Sequence, residues 1–241
     1  MYEIAGRVDI GTKRSKNDDR IMINGHVLDD GRLALTGENE ILAIVFDGVG
    51  GEAFGDEAAT LAANHFAGVH GMEMKKEDVE QHVREVHEKL QRIQRDDPTH
   101  RNMSTTIAGI QITDSGLLVF HVGDSRVYRY RKPYMARLTK DHSLEEEMRT
   151  IGAQPEQSIR NIITRSLGGT DSTVDVTEGK VLPQDVFILC SDGVCGVLDD
   201  GKLAVLLEQS SSLTQFCDLA IEMAMKDGSQ DNLSIIGIRR L

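Results

Sequence analysis

The residues of this chain best placed to do chemistry are aspartates, and what marks them is their position relative to apolar runs. ILAIVF ends in Asp47-Gly48, LLVFHV ends in Gly123-Asp124-Ser125, FILC ends in Ser191-Asp192-Gly193, and Asp231-Asn232 immediately precedes LSIIGI. Asp18 and Asp19 stand just ahead of the apolar IMI. Any one Asp-Gly or Asp-Asn pair is an ordinary turn. Several at strand ends are harder to dismiss, because the end of one antiparallel strand lies beside the start of the next, so the acids can share one rim of the sheets. Carboxylates gathered at low dielectric repel one another, and the usual resolutions are raised pKa values or bound cations. With oxygen donors and no paired His or Cys spacing, the expected ions are Mg²⁺ or Mn²⁺ rather than zinc.

Other reactive residue types carry weaker signals. The eight histidines include no HxH or HExxH spacing. His65 falls on an apolar helix face and reads as a core residue, while His26, His100 and His142 read as surface loop residues. The three cysteines, Cys190, Cys195 and Cys217, lack CxxC spacing, and the two that flank Asp192 read as small buried hydrophobes. Gly48-Val49-Gly50-Gly51-Glu52-Ala53 meets the dinucleotide fingerprint GxGxxA in its minimum form. Asp47 would set a carboxylate against the pyrophosphate, and no alternating strand-helix pattern follows. The glycines more simply let the backbone turn tightly and expose a carbonyl beside Asp47.

Apolar runs or alternations at residues 2–10, 41–46, 105–112, 117–122, 127–130, 186–190 and 233–238 predict strands. Helical periodicity is carried by Ala58, Leu61, Ala62, His65, Phe66 and Val69, by Val79, Val83, Val86, Leu90 and Ile93, and again over residues 213–225. Strands and helices come in groups rather than in strict alternation, which predicts an α+β fold of antiparallel sheets with helices packed outside. One domain over residues 1–241 is expected from the length. Residues 140–165 are polar, carry Gly152 and Pro155 with a short helical segment near 144–148, and suit a mobile surface flap.

Composition narrows the partners. A net charge of −12 argues against nucleic acid. No run approaches the roughly 18 consecutive apolar residues of a membrane span, and MYEIAGRVDIG lacks a basic-then-apolar signal pattern, so a soluble cytoplasmic protein without a membrane partner is expected.

In order along the chain, Arg14-Ser15-Lys16-Asn17-Asp18-Asp19, Phe46-Asp47-Gly48-Val49-Gly50-Gly51, Ser104-Thr105-Thr106, Val122-Gly123-Asp124-Ser125-Arg126, Ser191-Asp192-Gly193-Val194 and Asp231-Asn232-Leu233-Ser234 resemble the motif series of the metal-dependent type 2C protein phosphatases. The series spans nearly the whole chain, and the GxGG turn looks like the bacterial branch. The resemblance implies an α-β-β-α sandwich of two antiparallel sheets flanked by helices, with a metal centre in the cleft at the sheet edges. By similarity Asp47 bridges two Mn²⁺ or Mg²⁺ ions, the Gly48 carbonyl and Asp18 complete one, and Asp192 and Asp231 hold the other. Asp124, with Asp192, would hold a third ion. Asp19 would orient a water, and Arg14 would grip the phosphate with its planar, permanently charged fork.

The implied activity is hydrolysis of phosphoserine and phosphothreonine by a metal-activated water at a two- or three-metal centre. The implied partners are phosphorylated proteins, targets of a Ser/Thr kinase, and the chain is expected to act as a monomer. It departs from the family in having Asp18 where Glu is usual, Val49 where eukaryotic members have His, and Glu52 where many bacterial members have His. Two other readings are an inactive phosphoprotein-binding module on the same fold and a metal-dependent hydrolase or nucleotide switch of another fold. Retention of Asp47, Asp192 and Asp231 argues against the first, and the weak glycine fingerprint is the support for the second.

Overall fold

The computed structural model describes residues 1–49, 54–153 and 162–241. Two six-stranded sheets stack face to face, and every pairing within them is antiparallel. The first runs β11 (Tyr134–Arg137), β10 (Arg126–Arg131), β13 (Val186–Cys190), β14 (Leu233–Arg240), β1 (Tyr2–Asp9), β4 (Gly31–Glu38). The second runs β12 (Asp175–Gly179), β9 (Gly116–Val122), β8 (Ile107–Thr113), β5 (Ile41–Phe46), β2 (Arg20–Ile23), β3 (His26–Leu28). Helices α1 (Gly55–Ala67) and α2 (Lys76–Asp96) cover the second sheet, while α5 (Asp200–Gln209) and α6 (Leu213–Lys226) cover the first. The result is the four-layer α-β-β-α sandwich that the motif series implies.

Strand periodicity explains how the layers are sorted. Ala43 and Val45 of β5 point into the space between the sheets, with Ile110, Leu189 and Ile236, while Leu42, Ile44 and Phe46 point the other way onto Phe66, Val83 and Leu90 of the helices. In β13 the alternation is the same: Phe187 and Leu189 face the other sheet, and Ile188 and Cys190 face Leu203 and Phe216. Covered on both sides, β5 and β13 read as continuous apolar runs. Helix starts follow side-chain capping, with Asp199 accepting from the Lys202 amide for α5 and Ser212 from the Gln215 amide for α6.

The sequence pattern places the main elements but misses others. β4, at a sheet edge, is largely solvent-facing, and β11 and β12 are short edge strands, so none presents the apolar run that marks a central strand. The run expected from residue 105 instead begins at Ile107, because Ser104–Thr105 (β7) peel away to pair with Gly48–Val49 (β6). Within 140–165, α3 (Leu144–Thr150) is capped by Ser143. The positions 50–53, which hold most of the glycine fingerprint and Glu52, and 154–161 of the flap lie outside the described residues. No described helix is long and apolar enough to cross a membrane.

Candidate active site

Strand register brings the aspartates to one rim. Arg20 pairs with Phe46 across β2 and β5, which sets Asp19 beside Asp47. Cys190 pairs with Ile235 across β13 and β14, and the Ser191 amide donates to the Ser234 carbonyl at 3.1 Å, which sets Asp192 beside Asp231. Val122 pairs with Ile107, so Asp124 leaves β9 on the same side as the residues that hold Asp47.

Each acid is fixed by the motif around it. The Asp47 amide donates to Thr106 Oγ1 at 3.1 Å, and the Asp47 carbonyl accepts from the Thr106 amide at 2.8 Å and Thr105 Oγ1 at 2.9 Å. Thr106 Oγ1 also lies 2.8 Å from Ser125 Oγ, which ties the Asp47 and Asp124 turns together. Asn232 Oδ1 accepts from the Asp18 amide at 2.9 Å, and its Nδ2 donates to the Ile10 and Lys16 carbonyls at 2.9 and 3.0 Å. Asn232 therefore stitches the N-terminal loop to β14. Backbone meets backbone at two glycines here. A Cβ on Gly48 would sit 2.4 Å from the Gly55 carbonyl and 2.6 Å from that of Asp18, and one on Gly193 would sit 1.9 Å from the Asn232 oxygen.

The carboxylates are crowded: Asp19 and Asp124 are buried, and Asp18, Asp47, Asp192 and Asp231 are half-buried. Asp19 is 1% exposed, and its Oδ2 accepts from Ser191 Oγ at 2.8 Å and Ser234 Oγ at 2.7 Å. Burial raises its pKa to about 7 against those two hydroxyls, helped by the charges of Asp192 and Asp231. Asp47 is pushed well above the carboxylate range by burial and then by Asp19, Asp192, Asp124 and Asp231. Asp124 is pushed well up by burial and then by Asp192 and Asp141. Asp192 is raised by burial and Asp231, and Asp18 by burial and Asp56. The arginine at the mouth is Arg14, whose Nη2 donates to Asp231 Oδ2 at 2.7 Å while both side chains stay more than a third exposed. An open cleft of about 550 Å³ lies there, lined by Lys13, Arg14, Asp192, Gly193, Gln230 and Asp231 among others.

The donor set fits hard divalent cations. Asp124 Oδ1 is buried with no hydrogen-bond partner among the described residues, and neighbouring carboxylates raise the pKa of Asp47 and of Asp124, a pattern that a cation among them would reverse. Oxygen donors of this kind suit Mg²⁺ or Mn²⁺.

Two readings of the histidines are overturned. His142, expected at the surface, is 7% exposed and stacks on His121 with ring centres 4.5 Å apart. Its Nδ1 accepts from the Gly123 amide at 3.1 Å, and its own amide donates to the Gly123 carbonyl at 2.9 Å. Burial, then His121 and Arg165, bring its pKa down to about 4, so the ring is neutral at neutral pH. Beside it, Arg126 clamps Asp141 through Nε at 3.0 Å and Nη2 at 2.7 Å. His142 thus grips the turn that carries Asp124, while the Thr164 amide donates to the His142 carbonyl. The adjacency Asp141-His142 was the available signal. His65 is half-buried rather than core, and His100 stacks on Phe54 with centres 3.7 Å apart.

Residues 20–235 match the family model described as protein phosphatase 2C. The chain is 27% identical over 236 residues to the serine/threonine phosphatase stp of Listeria welshimeri, covering 92% of this chain and 93% of that one. It is 28% identical over 247 residues to protein phosphatase PhpP of Streptococcus pneumoniae, covering 97% and 95%. Its fold is similar to that of the S. agalactiae serine/threonine phosphatase, with a TM-score of 0.85 at 25% identity over 99% of each chain.

Proposed function

The chain belongs to the protein phosphatase 2C family, and from that premise we propose that its aspartate rim is the active site that hydrolyses phosphoserine and phosphothreonine in proteins. It is a metal-dependent protein serine/threonine phosphatase of the bacterial type. The observation that carries the site assignment is the convergence of buried and half-buried, mutually repelling carboxylates on one rim, with an arginine at the open mouth.

Asp47 would be the ligand shared by the two core ions. Asp18 and the Gly48 carbonyl would serve one, Asp192 and Asp231 the other, and Asp124 with Asp192 would serve a third. Either Mn²⁺ or Mg²⁺ suits these oxygens. When bound, such ions supply an activated water nucleophile and offset charge on the phosphoryl group.

The chain's own residues do the rest. Arg14 binds phosphate oxygens, exchanging its present partner Asp231 for the substrate. Asp19, pinned by the Ser191 and Ser234 hydroxyls, presents its remaining carboxylate oxygen as a fixed acceptor that orients water for in-line attack. Val49 has no proton to give the departing serine oxygen, so protonation falls to the neighbourhood of Asp124. His142 is a poor rival, since its neutral ring accepts a backbone hydrogen bond at Nδ1.

We read the chain as one phosphatase domain that acts as a cytoplasmic monomer on targets of a Ser/Thr kinase, with the flap choosing among them. The test is release of phosphate from a phosphoserine peptide in Mn²⁺, with and without chelator. Chelator-resistant turnover would remove metal dependence from the reading. Turnover by the Asp231→Ala variant at the wild-type rate would remove the rim.

A further inference from the structure

The helix layer over the second sheet carries a group of donors that the phosphatase chemistry does not use. His65 stands in the last turn of α1, and His82 and Glu85 stand three residues apart on α2, on one face of that helix. His65 Nε2 lies 3.2 Å from His82 Nδ1 and 3.6 Å from Glu85 Oε2, and His82 Nδ1 lies 3.7 Å from the same oxygen. The three atoms form a nearly even triangle. Zinc-class ions bond imidazole nitrogen and carboxylate oxygen at about 2.0–2.2 Å, so tetrahedral donors stand about 3.3–3.5 Å apart. The bland alternative is a hydrogen bond between the rings, but one shared proton serves one edge of the triangle, whereas one cation at its centre serves all three.

The donors are also held in place. Glu85 Oε1 accepts from Gln81 Nε2 at 2.9 Å, which turns Oε2 toward the rings. Phe66 meets both imidazoles edge-on, with centres 5.6 Å from His65 and 6.1 Å from His82. Burial keeps His65 below the usual imidazole range, in the neutral form that binds metal. The side chains of His65 and His82 are 23% and 15% exposed and that of Glu85 is 46%, so the open side leaves a position for water. Lys89 adds a positive charge nearby, on an exposed side chain that can swing away. A second trio, His121, His142 and Asp175, has comparable spacing but carries the Arg165 guanidinium within 3.2 Å of its His142 and Asp175 members, which disfavours a cation.

We propose that His65, His82 and Glu85 form a second metal site, which takes a nitrogen-preferring ion of the zinc class and pins the end of α1 to α2. The aspartate rim, all oxygen, suits Mg²⁺ and Mn²⁺, whereas two imidazoles and one carboxylate suit zinc.

Calorimetric titration of Zn²⁺ into the full chain in excess Mg²⁺ tests this, alongside the visible spectrum of the Co²⁺-loaded protein. The wild type should show a zinc-binding event that weakens at least tenfold in His65→Ala, in His82→Ala and in Glu85→Gln, with loss of the tetrahedral Co²⁺ band. Hydrolysis of nitrophenyl phosphate in Mn²⁺ should be unchanged in His82→Ala. Glu85→Gln, an exposed and nearly isosteric change, guards against misfolding of the histidine variants. The proposal is overturned if the wild type binds no zinc in excess Mg²⁺, or if Glu85→Gln binds it as tightly as the wild type.

Discussion

Arg14 and Asp124 have different partners at the rim, and that separates what their removal should do. Arg14 sits at the exposed mouth, where a guanidinium binds phosphate in ground and transition states alike. Arg14→Ala should therefore raise KM at least several-fold with little change in kcat, and a collapse of kcat alone would assign Arg14 another role. Asp124 is buried with one oxygen unpartnered, beside a site that lacks a side-chain acid at Val49. Nitrophenolate leaves readily as an anion, whereas a serine alkoxide needs a proton. Asp124→Ala should cut phosphoserine-peptide hydrolysis far more than nitrophenyl phosphate hydrolysis at saturating Mn²⁺, and equal losses would detach Asp124 from leaving-group protonation. The aspartates themselves were legible because each borders an apolar run. Ser191 and Ser234, which hold Asp19, were not, because residues 43 positions apart in sequence meet only through the β13–β14 register, and the burial of His142 depends on its contacts with Gly123 and His121.

Elements that were doubly buried announced themselves, since β5 and β13 cannot be other than apolar throughout. Edge strands β4 and β12 face solvent and carry charge, so their pairing depends on neighbours that local pattern does not show. Residues 140–165, expected to form a flap, belong with these. Their described parts join the site through the His142 and Thr164 backbone and through an isolated bridge between Ser143 and Ile163, and a cavity of about 460 Å³ opens between α3, Arg165 and Asp175. Exchange of residues 140–165 for those of a relative should shift preference among phosphopeptides while leaving nitrophenyl phosphate turnover within about twofold. Unchanged peptide preference in the chimera would take the flap out of substrate selection.

Across the whole molecule, a metal centre at the rim would make metal binding and folding interdependent. Without ions, Asp19 has its folded-state pKa raised from 3.8 to about 7, so the native chain holds a proton there that the unfolded chain has released. That group's contribution is complete below about pH 4 and is lost as pH rises toward 7, and the raised Asp47 and Asp124 act in the same direction. Bound ions remove this penalty. The rise in Tm on adding Mn²⁺ should accordingly grow between pH 5 and pH 7, with the buried histidines cancelling in the difference between loaded and stripped protein. A rise independent of pH would mean that the rim is not where Mn²⁺ binds. Whether these carboxylates form the phosphatase centre is decided by turnover of a phosphoserine peptide by Asp47→Ala at saturating Mn²⁺. The variant should keep less than a tenth of the wild-type rate, a loss above about 1.4 kcal/mol of transition-state stabilisation. A variant that keeps more than a tenth of the rate would contradict that assignment.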